Sequence, residues 1–569
     1  MKSEPRRRPL PVEAVRRQAL GVAAAQAGDH ETALEHFYAV LDLAPTDHEA
    51  LHNLGAALLA LRRFNIAVFP FTRLVADGGD YAARRLFVLA LQEAPAPVMS
   101  AAAIARALAE PALDRDILFR RGWALLRTLD VAGVPGLDAS GHDLLLALLA
   151  ETTGGLADFE RFFVALRTAL LGVERPDRRT VQLGNALARH AFNTEFAATV
   201  TEAEQATVAA LGDAVPRVLN RADEWRLARL AMYRPLADLD GVAGLLHGVE
   251  DYAAPFRALV TATVATVLAD RRAAEHMPGF AGIADVVSAE VQQHYEANPY
   301  PRWLGLTLPL AGQMRRQLAG LVGADLLPPE LRLLVAGCGT GEHAIAARHG
   351  YGPQVRVTAI DLSRTSLAYA ARKAAELGAG DIGFRQGDLL AVAELGQDFD
   401  VVECAGVLHH MADPLAGWRA LRGVLAPGGV MFIGLYSEAG RAAVIAARDE
   451  IAQRRLTDDA DTIRAFRAEL LADPSPRGWR AALLDNDDFY TLSNCRDLLF
   501  HRHEQRFTLA GIAAALQALD LGFLGFVWLP AEATAACGRD LEKWAAWEAA
   551  RPETFARMYQ FYCADAAAR

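Results

Sequence analysis

The sequence predicts a multidomain protein that is α-helical in its first half and α/β in its C-terminal part. Its 569 residues exceed what a single hydrophobic core usually supports. Ala/Leu-rich segments with helical periodicity fill most of residues 1–290, whereas apolar stretches of strand length alternate with helices from residue 331 onward. We therefore expect helical repeats at 1–95, a helical middle domain at 96–290 and a strand-and-helix domain at 291–569.

Composition and charge narrow the possible functions. With 52% apolar and 22% charged residues, the chain has the composition of a globular protein. Its net charge of −11 argues against a general nucleic-acid binder, which would present a basic face. The sequence has no uncharged apolar run of membrane-spanning length, no signal-peptide features at its N-terminus and only scattered cysteines. We therefore expect a cytoplasmic protein that binds neither nucleic acid nor a membrane.

A 34-residue repeat opens the chain. Four features return at this offset, with Leu20, Gly21, Ala33 and Phe37 recurring as Leu54, Gly55, Ala67 and Phe71. Small residues let the two helices of a hairpin pack closely, and we expect the phenylalanine to fill the gap to the next hairpin. The period and the positions resemble the tetratricopeptide (TPR) repeat, although two ordinary helical hairpins with a chance similarity would give the same pattern.

Seven segments of the C-terminal part are predicted as strands, namely residues 331–336, 355–360, 382–386, 399–404, 430–436, 523–529 and 558–563. Apolar strands alternating with helices indicate a parallel sheet covered on both faces. The stretch of about seventy residues after the fifth strand is too long for a single crossover helix. We expect this insertion, about 438–507, to be a lid that shapes a substrate pocket, with 485–507 irregular, since it leaves the ligand-binding edge of the sheet.

The first predicted strand runs into the turn GCGTG, and acidic residues end the next two strands. Gly337, Gly339 and Gly341 permit a tight turn in which the main chain can approach a ligand. Asp361 and Asp388 are placed where carboxylates can accept hydrogen bonds from ribose hydroxyls and from an adenine amine. Taken alone, each aspartate could equally be a helix N-cap.

The turn does not fit a dinucleotide. A dinucleotide fingerprint would place its third glycine one position later. Position 342 is instead a glutamate, which would repel a pyrophosphate, and no adjoining lysine or arginine compensates it. S-adenosylmethionine (SAM) has no phosphate, and its amino-acid end is zwitterionic. We therefore predict SAM as the cofactor.

Five segments carry a family resemblance, and they read LLVAGCGTG, AIDLS, QGDLL, FDVVECAGVLHHMADP and LAPGGVMFIGLYS. Together they resemble the class I SAM-dependent methyltransferases. The resemblance implies a methyl-transferring enzyme with a Rossmann-like seven-stranded sheet, whose last strand, 558–563, is antiparallel. It also implies cofactor contacts at Gly337, Gly339, Gly341, Asp361, Leu362, Asp388, Leu389 and Val407.

The segment HYEANPYPRW, residues 294–303, is similar to one that precedes this domain in bacterial fusions of TPR repeats to a methyltransferase. Its two prolines make it stiff and extended, so that it can lie across the SAM site. We expect Tyr300 or Arg302 to bind the methionine carboxylate, and Trp303 to pack over the sulfonium or the acceptor. Alternatively, Tyr300 and Trp303 clamp a linker onto the domain.

His409 and His410 follow the fourth strand, at a position that faces the methyl group in many related folds. A base is needed only if the acceptor arrives protonated, and for that role we prefer His409 to His410. The alternative is that His409 packs beside adenine or supports its loop.

The candidates for acceptor binding are aromatic or basic, namely Tyr295, Trp303, Tyr436, Tyr490, Arg496 and His501. Arg496 and His501 belong to a polar stretch that either lines the lid or forms a solvated loop face. Cys495, His503 and Glu504 lie in the same stretch, and together with His501 they could be read as metal ligands. Their spacing matches no standard zinc pattern, and we predict no metal site.

We expect first a protein or peptide acceptor and keep a small metabolite as the alternative. The helical repeats favour a protein or peptide acceptor, since such repeats bind extended segments. The motif VLHHMADP and the lid favour a small metabolite, with the repeats forming a homodimer. A closed pocket would favour the metabolite, and an open groove would favour a chain. A binding protein with a defunct SAM fold is a third possibility, which the intact glycine turn disfavours.

Overall fold

A computed structural model describes residues 10–95, 99–129, 137–212, 214–216, 218–323, 327–556 and 558–565 of the chain. The chain divides into two compact units. Unit 1 comprises Met1–Gly154 with Leu304–Leu306, and unit 2 comprises Gly155–Trp303 with Thr307–Arg569. Within the described ranges, no helix is both long and apolar enough to cross a membrane. The finer division near residues 95 and 290 stays a prediction.

Unit 1 is built from helices, and each of the first four packs against the next one along the chain. They are α1 Val12–Gln26, α2 His30–Leu43, α3 His48–Ala60, α4 Phe64–Ala76, α5 Tyr81–Glu93, α6 Ala101–Leu108, α7 Arg115–Thr128 and α8 Ala139–Glu151. The side chains of Asp29, Asp47 and Asp80 each accept a hydrogen bond from a main-chain N–H three residues on, at 3.1, 2.8 and 2.9 Å. Such N-caps satisfy donors that the first helical turn leaves unpaired, so they set where these helices begin.

The 34-residue repeat corresponds to two helical hairpins. A Cβ atom at Gly21 would approach the ring of Phe37 to 2.6 Å, and one at Gly55 would approach Phe71 to 2.5 Å, so each glycine makes room for a phenylalanine. Each of these contacts lies inside its own hairpin. The sequence pattern instead suggested that the phenylalanine fills the gap to the following hairpin.

Unit 2 begins with the helices that precede its sheet. They are α9 Ala157–Leu171, α10 Arg178–Asn193, α11 Glu202–Leu211, α12 Arg221–Ala231, α13 Ala254–Val260, α14 Thr266–Glu275, α15 Val286–Ala297 and α16 Gln313–Val322. The chain after α15 contains no helix as far as residue 303. We call residues 286–303, which are α15 and this non-helical stretch, the cover segment.

A seven-stranded sheet forms the centre of unit 2. Its strands are β1 Leu331–Ala336, β2 Val355–Asp361, β3 Gly383–Gln386, β4 Phe399–Ala405, β5 Leu425–Tyr436, β6 Leu521–Phe526 and β7 Met558–Asp565. Their order is β3-β2-β1-β4-β5-β7-β6. Strands β1 to β5 are parallel, and β7 runs antiparallel to both of its neighbours. The predicted Rossmann-like sheet, including its antiparallel last strand, is confirmed.

The helices that follow the first strands are α17 Glu342–Tyr351, α18 Arg364–Glu376 and α19 Pro414–Gly423. The apolar strands are buried in a core in which Trp418 and Trp544 join Leu334, Val402 and Ile433, each at most 1% exposed. This burial removes the strand faces from water.

Residues 438–507 form a helical layer of their own. Helices α20 Ala442–Gln453, α21 Ala460–Ala472, α22 Trp479–Leu484 and α23 Leu492–Phe500 surround an apolar cluster that includes Ile463, Phe466 and Phe489. The prediction that residues 485–507 are irregular is wrong for α23, because all nine of its residues are buried in or beside this cluster. Helices α24 Leu509–Ala518, α25 Ala531–Cys537 and α26 Leu541–Ala550 complete the unit.

Candidate active site

A cavity of about 270 Å³ lies at the carboxyl edge of the sheet. Four neighbouring strand ends line it through residues 337–339, 360–362, 387–389 and 405–407. The cover segment contributes Val287, Ser288, Val291, Tyr295, Tyr300 and Pro301. The other lining residues are Glu342, His343, Ser366, His410, Met411, Tyr436 and Met558. In open α/β folds, this edge is where ligands bind.

The glycine turn after β1 lets two walls of the cavity meet. Gly337 and Gly339 have φ angles of +71° and +53°, in the left-handed region that favours glycine. A Cβ atom at Gly337 would approach the side chain of Val407 to 2.2 Å, and one at Gly339 would approach the carbonyl oxygen of Tyr300 to 2.5 Å. The turn therefore admits both the loop after β4 and the cover segment.

Asp361 and Asp388 line the cavity beside this turn. Asp361 accepts hydrogen bonds from the main-chain N–H groups of Gly339 at 2.8 Å and Ser363 at 2.9 Å, and it retains lone pairs for a ligand. The two N–H groups lower the pKa of this carboxyl, but burial raises it by more, so the pKa lies above its ordinary value. Asp388 accepts a hydrogen bond from the N–H of Leu390 at 2.9 Å, so its N-cap alternative is correct, although the residue still faces the cavity.

The cover segment forms one wall of the cavity and is anchored by Glu296. The Glu296 carboxylate accepts hydrogen bonds from the N–H groups of Arg364 at 2.8 Å and Thr365 at 3.0 Å, and from the Thr365 hydroxyl at 2.7 Å. These groups begin α18, where a carboxylate also matches the positive end of the helix dipole. None of the described residues of 438–507 lines the cavity, so the position expected for the lid is taken by the cover segment.

The insertion 438–507 holds the cover segment through hydrogen bonds. Asp497 accepts a hydrogen bond from the Tyr295 hydroxyl at 2.7 Å. The side-chain oxygen of Asn494 accepts one from the main-chain N–H of Arg302, also at 2.7 Å. The insertion therefore acts on the cavity through the side chains that it holds in place.

The two histidines after β4 have different surroundings. His409 is fully buried, its ring stacks on Tyr436 with centroids 3.8 Å apart, and neither ring nitrogen has a partner among the described residues. Burial, helped by nearby positive groups, holds the pKa of His409 well below its ordinary value. His410 lines the cavity, and its Nδ1 lies 2.8 Å from the carbonyl oxygen of His503. The preference for His409 as the base is therefore not supported by its position.

His410 belongs to a buried polar cluster with Asp497 and His501, in which one ligand-type atom of each lies within 4.8 Å of the others. The rings of His410 and His501 lie against each other with centroids 3.9 Å apart. Burial lowers the pKa of both imidazoles. The planes of the two rings are tilted by 34°. The expected absence of a metal site stays a prediction, since these three side chains are close enough together to hold an ion.

Residues 333–429 match the family model of the methyltransferase domain. The match contains the glycine turn, both aspartates and His410, which are residues that meet at the cavity. This segment is a class I SAM-dependent methyltransferase domain. SAM is its cofactor, as predicted. The lining fits that cofactor, since the carboxylates of Glu342, Asp361 and Asp388 suit a sulfonium cation and would repel a phosphate.

Known relatives match only parts of the chain. An uncharacterized protein of Synechococcus sp. is 33% identical over 261 residues, which are 43% of this chain and 62% of that protein. Proteins named ubiquinone biosynthesis O-methyltransferase are 39% identical over 127 residues in Caulobacter vibrioides and 37% over 117 residues in Paracidovorax citrulli. These two matches span 22% and 20% of this chain and 48% of each relative. The chain thus spans between about half and somewhat under two thirds of these curated relatives.

Among solved structures, PKMT2 from Rickettsia typhi in complex with AdoHcy is similar, with a TM-score of 0.36 and 16% identity. The alignment covers 47% of this chain and 55% of that one.

Most residues predicted for the methyltransferase site meet at the cavity. They are Gly337, Gly339, Asp361, Leu362, Asp388, Leu389, Val407, His410, Tyr295, Tyr300 and Tyr436. Their individual roles stay predictions.

Three residues predicted to contact the cofactor have other partners. Gly341 is the N-cap of α17. The guanidinium of Arg302 lies over the ring of Phe192, 5.0 Å from its centre. Trp303 is buried, and its indole N–H donates to the hydroxyl of Thr340 at 3.1 Å. Because these contacts fix the cover segment and the turn, the linker alternative describes Trp303 better than ligand binding does, whereas Tyr300, its other residue, lines the cavity.

Three residues predicted to bind the acceptor also lie outside the cavity lining. The Tyr490 hydroxyl donates to the carbonyl oxygen of Leu484 at 2.6 Å inside the insertion. Arg496 donates to the side chain of Asn298 and so ties the insertion to the cover segment. His501 packs behind His410.

Sequence reasoning missed one pair at the cavity of the methyltransferase domain. His343, which lines the cavity, has its Nε2 at 2.8 Å from the carboxylate of Glu403. The Tyr351 hydroxyl donates to the other oxygen of Glu403 at 2.7 Å. Glu403 lies within β4 and is 0% exposed. The signal was in the sequence, since a glutamate inside the apolar strand FDVVECA requires a buried partner.

Proposed function

We propose that the protein transfers the methyl group of SAM to a hydroxyl oxygen of a small acceptor bound in the cavity. The observation that carries the proposal is the state of His410, which lines the cavity while its Nδ1 contacts the carbonyl oxygen of His503. Because a carbonyl oxygen only accepts hydrogen bonds, Nδ1 carries the hydrogen and Nε2 keeps a lone pair. A neutral imidazole in this tautomer can act as a base.

The surroundings of His410 suit this role. Asp497 and the carbonyl of His503 raise the pKa of His410, but burial lowers it by more, so the pKa lies below its ordinary value. His410 is therefore neutral near pH 7 and able to accept a proton. Asp497, held by the Tyr295 hydroxyl, can then stabilise the imidazolium that forms.

The other cavity residues bind and orient the reactants. Asp361 and Asp388 line the cavity, and we propose that they accept hydrogen bonds from the ribose hydroxyls and the adenine amine. When bound, SAM supplies an electrophilic methyl group on a positively charged sulfur. Tyr295, Tyr300 and Tyr436 give the cavity an aromatic wall against which an acceptor can lie. The main contribution of the protein is to align the acceptor oxygen with the methyl group, while a base removes the acceptor's proton.

Two observations favour a small acceptor and an oxygen. The cavity measures about 270 Å³ and has to hold SAM as well, and the cover segment forms one of its walls, so the space left for an acceptor is small. Two curated relatives that match about a fifth of the chain at 37% and 39% identity are named O-methyltransferases.

A protein or peptide acceptor is the second candidate. It is favoured by the helical hairpins of unit 1, which we propose to be TPR-like, and by the apolar side chains that they expose. Tyr38 is 46% exposed and Phe69 is 55% exposed. If these side chains instead pair two copies of the chain, the protein is a homodimer. In either case we propose that the cover segment acts as the lid and that the enzyme works in the cytoplasm.

Methyl-labelled SAM tests the proposal. The full-length protein is incubated with the label and an extract of its host, which is then separated into small molecules and macromolecules. We expect the label in a small molecule, bound through oxygen, and much less of it with the His410→Asn variant. Label that follows a protein instead would refute the small acceptor and support the second candidate. The His349→Asn variant is the control, since His349 contacts the carbonyl of Leu377 and does not line the cavity.

A further inference from the structure

We propose that His343 is the cation that binds the carboxylate at the methionine end of SAM, with Glu403 fixed behind it as its counter-ion. This inference deepens the proposed function and rests on SAM occupying the cavity.

The first step concerns Glu403, whose carboxylate is 0% exposed within β4. A buried carboxylate is costly unless it is paired and hydrogen-bonded. Among the described residues that contact Glu403, Tyr351 donates a hydrogen bond and His343 alone can carry a positive charge. The pair therefore places a positive charge on the imidazole of His343, which lines the cavity with 31% of its side chain exposed.

The second step concerns the charges that face the cavity. Glu342, Asp361 and Asp388 are its carboxylates, and none of the described lining residues is Lys or Arg. SAM carries a carboxylate as well as its positive groups, so that carboxylate requires a cation or strong donors in an otherwise acidic site. Only His343 and His410 among the described lining residues can supply a cation, and burial disfavours the charged form of His410.

The third step concerns position and orientation. His343 is the second residue of α17, directly after the glycine turn, at the end of the helix whose dipole favours an anion. Its ring stacks on Phe432 with an interplanar angle of 10° and a centroid distance of 5.7 Å. Since Nε2 donates to Glu403, a doubly protonated ring has Nδ1 left to donate to the ligand.

The charged groups around His343 agree with this assignment. Burial by itself lowers its pKa, but the charge and hydrogen bond of Glu403, with a contribution from Glu342, outweigh burial and raise the pKa above its ordinary value. Tyr351 and Tyr562, the other titratable groups on this side, are kept neutral because burial raises their pKa values. The contact is therefore present below the raised pKa of His343 and is lost as the pH rises through it.

Calorimetric titration of the full chain at pH 6.5 tests the proposal with two ligands. S-adenosylhomocysteine (SAH) keeps the carboxylate, and 5′-methylthioadenosine lacks the whole amino-acid end. For His343→Gln we expect the Kd of SAH to rise about 10- to 100-fold, as for the loss of a charged hydrogen bond, with little change for methylthioadenosine. His343→Lys, which restores a positive charge, should recover part of the loss. His349→Gln, on the same helix but outside the cavity lining, should bind both ligands like the wild type.

Thermal unfolding of each variant shows whether it is folded. If His343→Gln is not folded, the test is made with His343→Lys instead. The proposal is overturned if His343→Gln binds SAH as tightly as the wild type, or if it weakens both ligands equally. Both results leave the proposed function intact, because the wild type still binds SAH. A wild-type protein that binds no SAH would overturn the proposed function together with this inference.

Discussion

The main-chain N–H of Gly339 donates a hydrogen bond to Oδ2 of Asp361 over 2.8 Å. This contact joins the turn after β1 to the end of β2, and the N–H of Ser363 holds the other oxygen at 2.9 Å. Both oxygens are thus fixed at the cavity by the protein itself. The carboxylate therefore needs little rearrangement to accept hydrogen bonds from a ligand.

The first prediction concerns this carboxylate. We expect Asp361→Asn to weaken SAH binding about 10- to 100-fold, since a hydrogen bond to a charged group contributes about 1.5–3 kcal/mol. Calorimetry gives the affinity. Asp400→Asn is the control, because Asp400 pairs with Arg332 outside the cavity lining. Equal affinities for the two variants would show that Asp361 does not hold the ribose.

The second prediction separates the two histidines after β4. His410→Asn should lower turnover by about 10²- to 10⁴-fold, the usual contribution of a general base, and should leave SAH affinity nearly unchanged. His409→Phe keeps an aromatic ring against Tyr436 and should retain most of the turnover. Initial rates of methyl transfer, measured with SAM and the fraction of the host extract that contains the acceptor, check both variants. A larger loss at His409 would reverse the assignment.

The third prediction concerns acid stability. Burial lowers the pKa values of His409, His410 and His501 below 6.5, so the unfolded chain binds more protons than the folded one below that pH. Stability should therefore fall as the pH is lowered from 7 to 5.5, by up to about 1.4 kcal/mol per pH unit for each such histidine. His343, whose pKa is raised, changes stability only above pH 6.5.

Urea unfolding of unit 2 at several pH values measures this slope. His501→Asn removes one of the titrating rings and should make the slope shallower, even if the variant is less stable at pH 7. A slope that is the same in His501→Asn and the wild type would contradict the buried, neutral state of this ring.

The fourth prediction concerns the anchor of the cover segment. Glu296→Gln exchanges the carboxylate that caps α18 for an amide, so we expect SAH to dissociate about 10-fold faster, with earlier proteolysis within residues 286–303. Stopped-flow dissociation and limited proteolysis check this. Glu290→Gln, on the same helix but 52% exposed and paired with His503, should behave like the wild type. Unchanged kinetics in Glu296→Gln would mean that the cover segment is not held at this point.

The fifth prediction concerns the hairpins of unit 1. A Cβ atom at Gly55 would approach Phe71 to 2.5 Å, so Gly55→Ala should destabilise unit 1 by about 1–3 kcal/mol through overpacking. Adding Phe71→Leu should relieve the clash, and the double variant should be more stable than the sum of the two single effects. Additive losses in denaturant unfolding would show that the two positions do not meet.

Local patterns allowed most of the sheet to be predicted. The strand 331–336 is found with the predicted bounds, because an apolar run that ends in a glycine turn depends on neighbouring residues only. The positions of Asp361 and Asp388 at the cavity could also be predicted, since the carboxyl ends of neighbouring parallel strands meet at one edge of the sheet.

Contacts between distant segments could not be predicted in this way. Arg302 directly follows cavity-lining residues in the sequence. Its guanidinium nevertheless lies over Phe192 and donates to the carbonyl oxygen of Asn193, 109 residues earlier. His343 and Glu403 are 60 residues apart, and only the folded sheet brings them together. A sequence shows that a buried charge needs a partner, but the fold decides which partner it meets.

A crystal structure of the full chain with SAH tests the central claim most directly. We predict that the adenosine lies between the glycine turn and the cover segment, with Asp361 bonded to the ribose hydroxyls and Asp388 to the adenine amine. SAH bound elsewhere, or an empty crevice in crystals saturated with it, would contradict the claim.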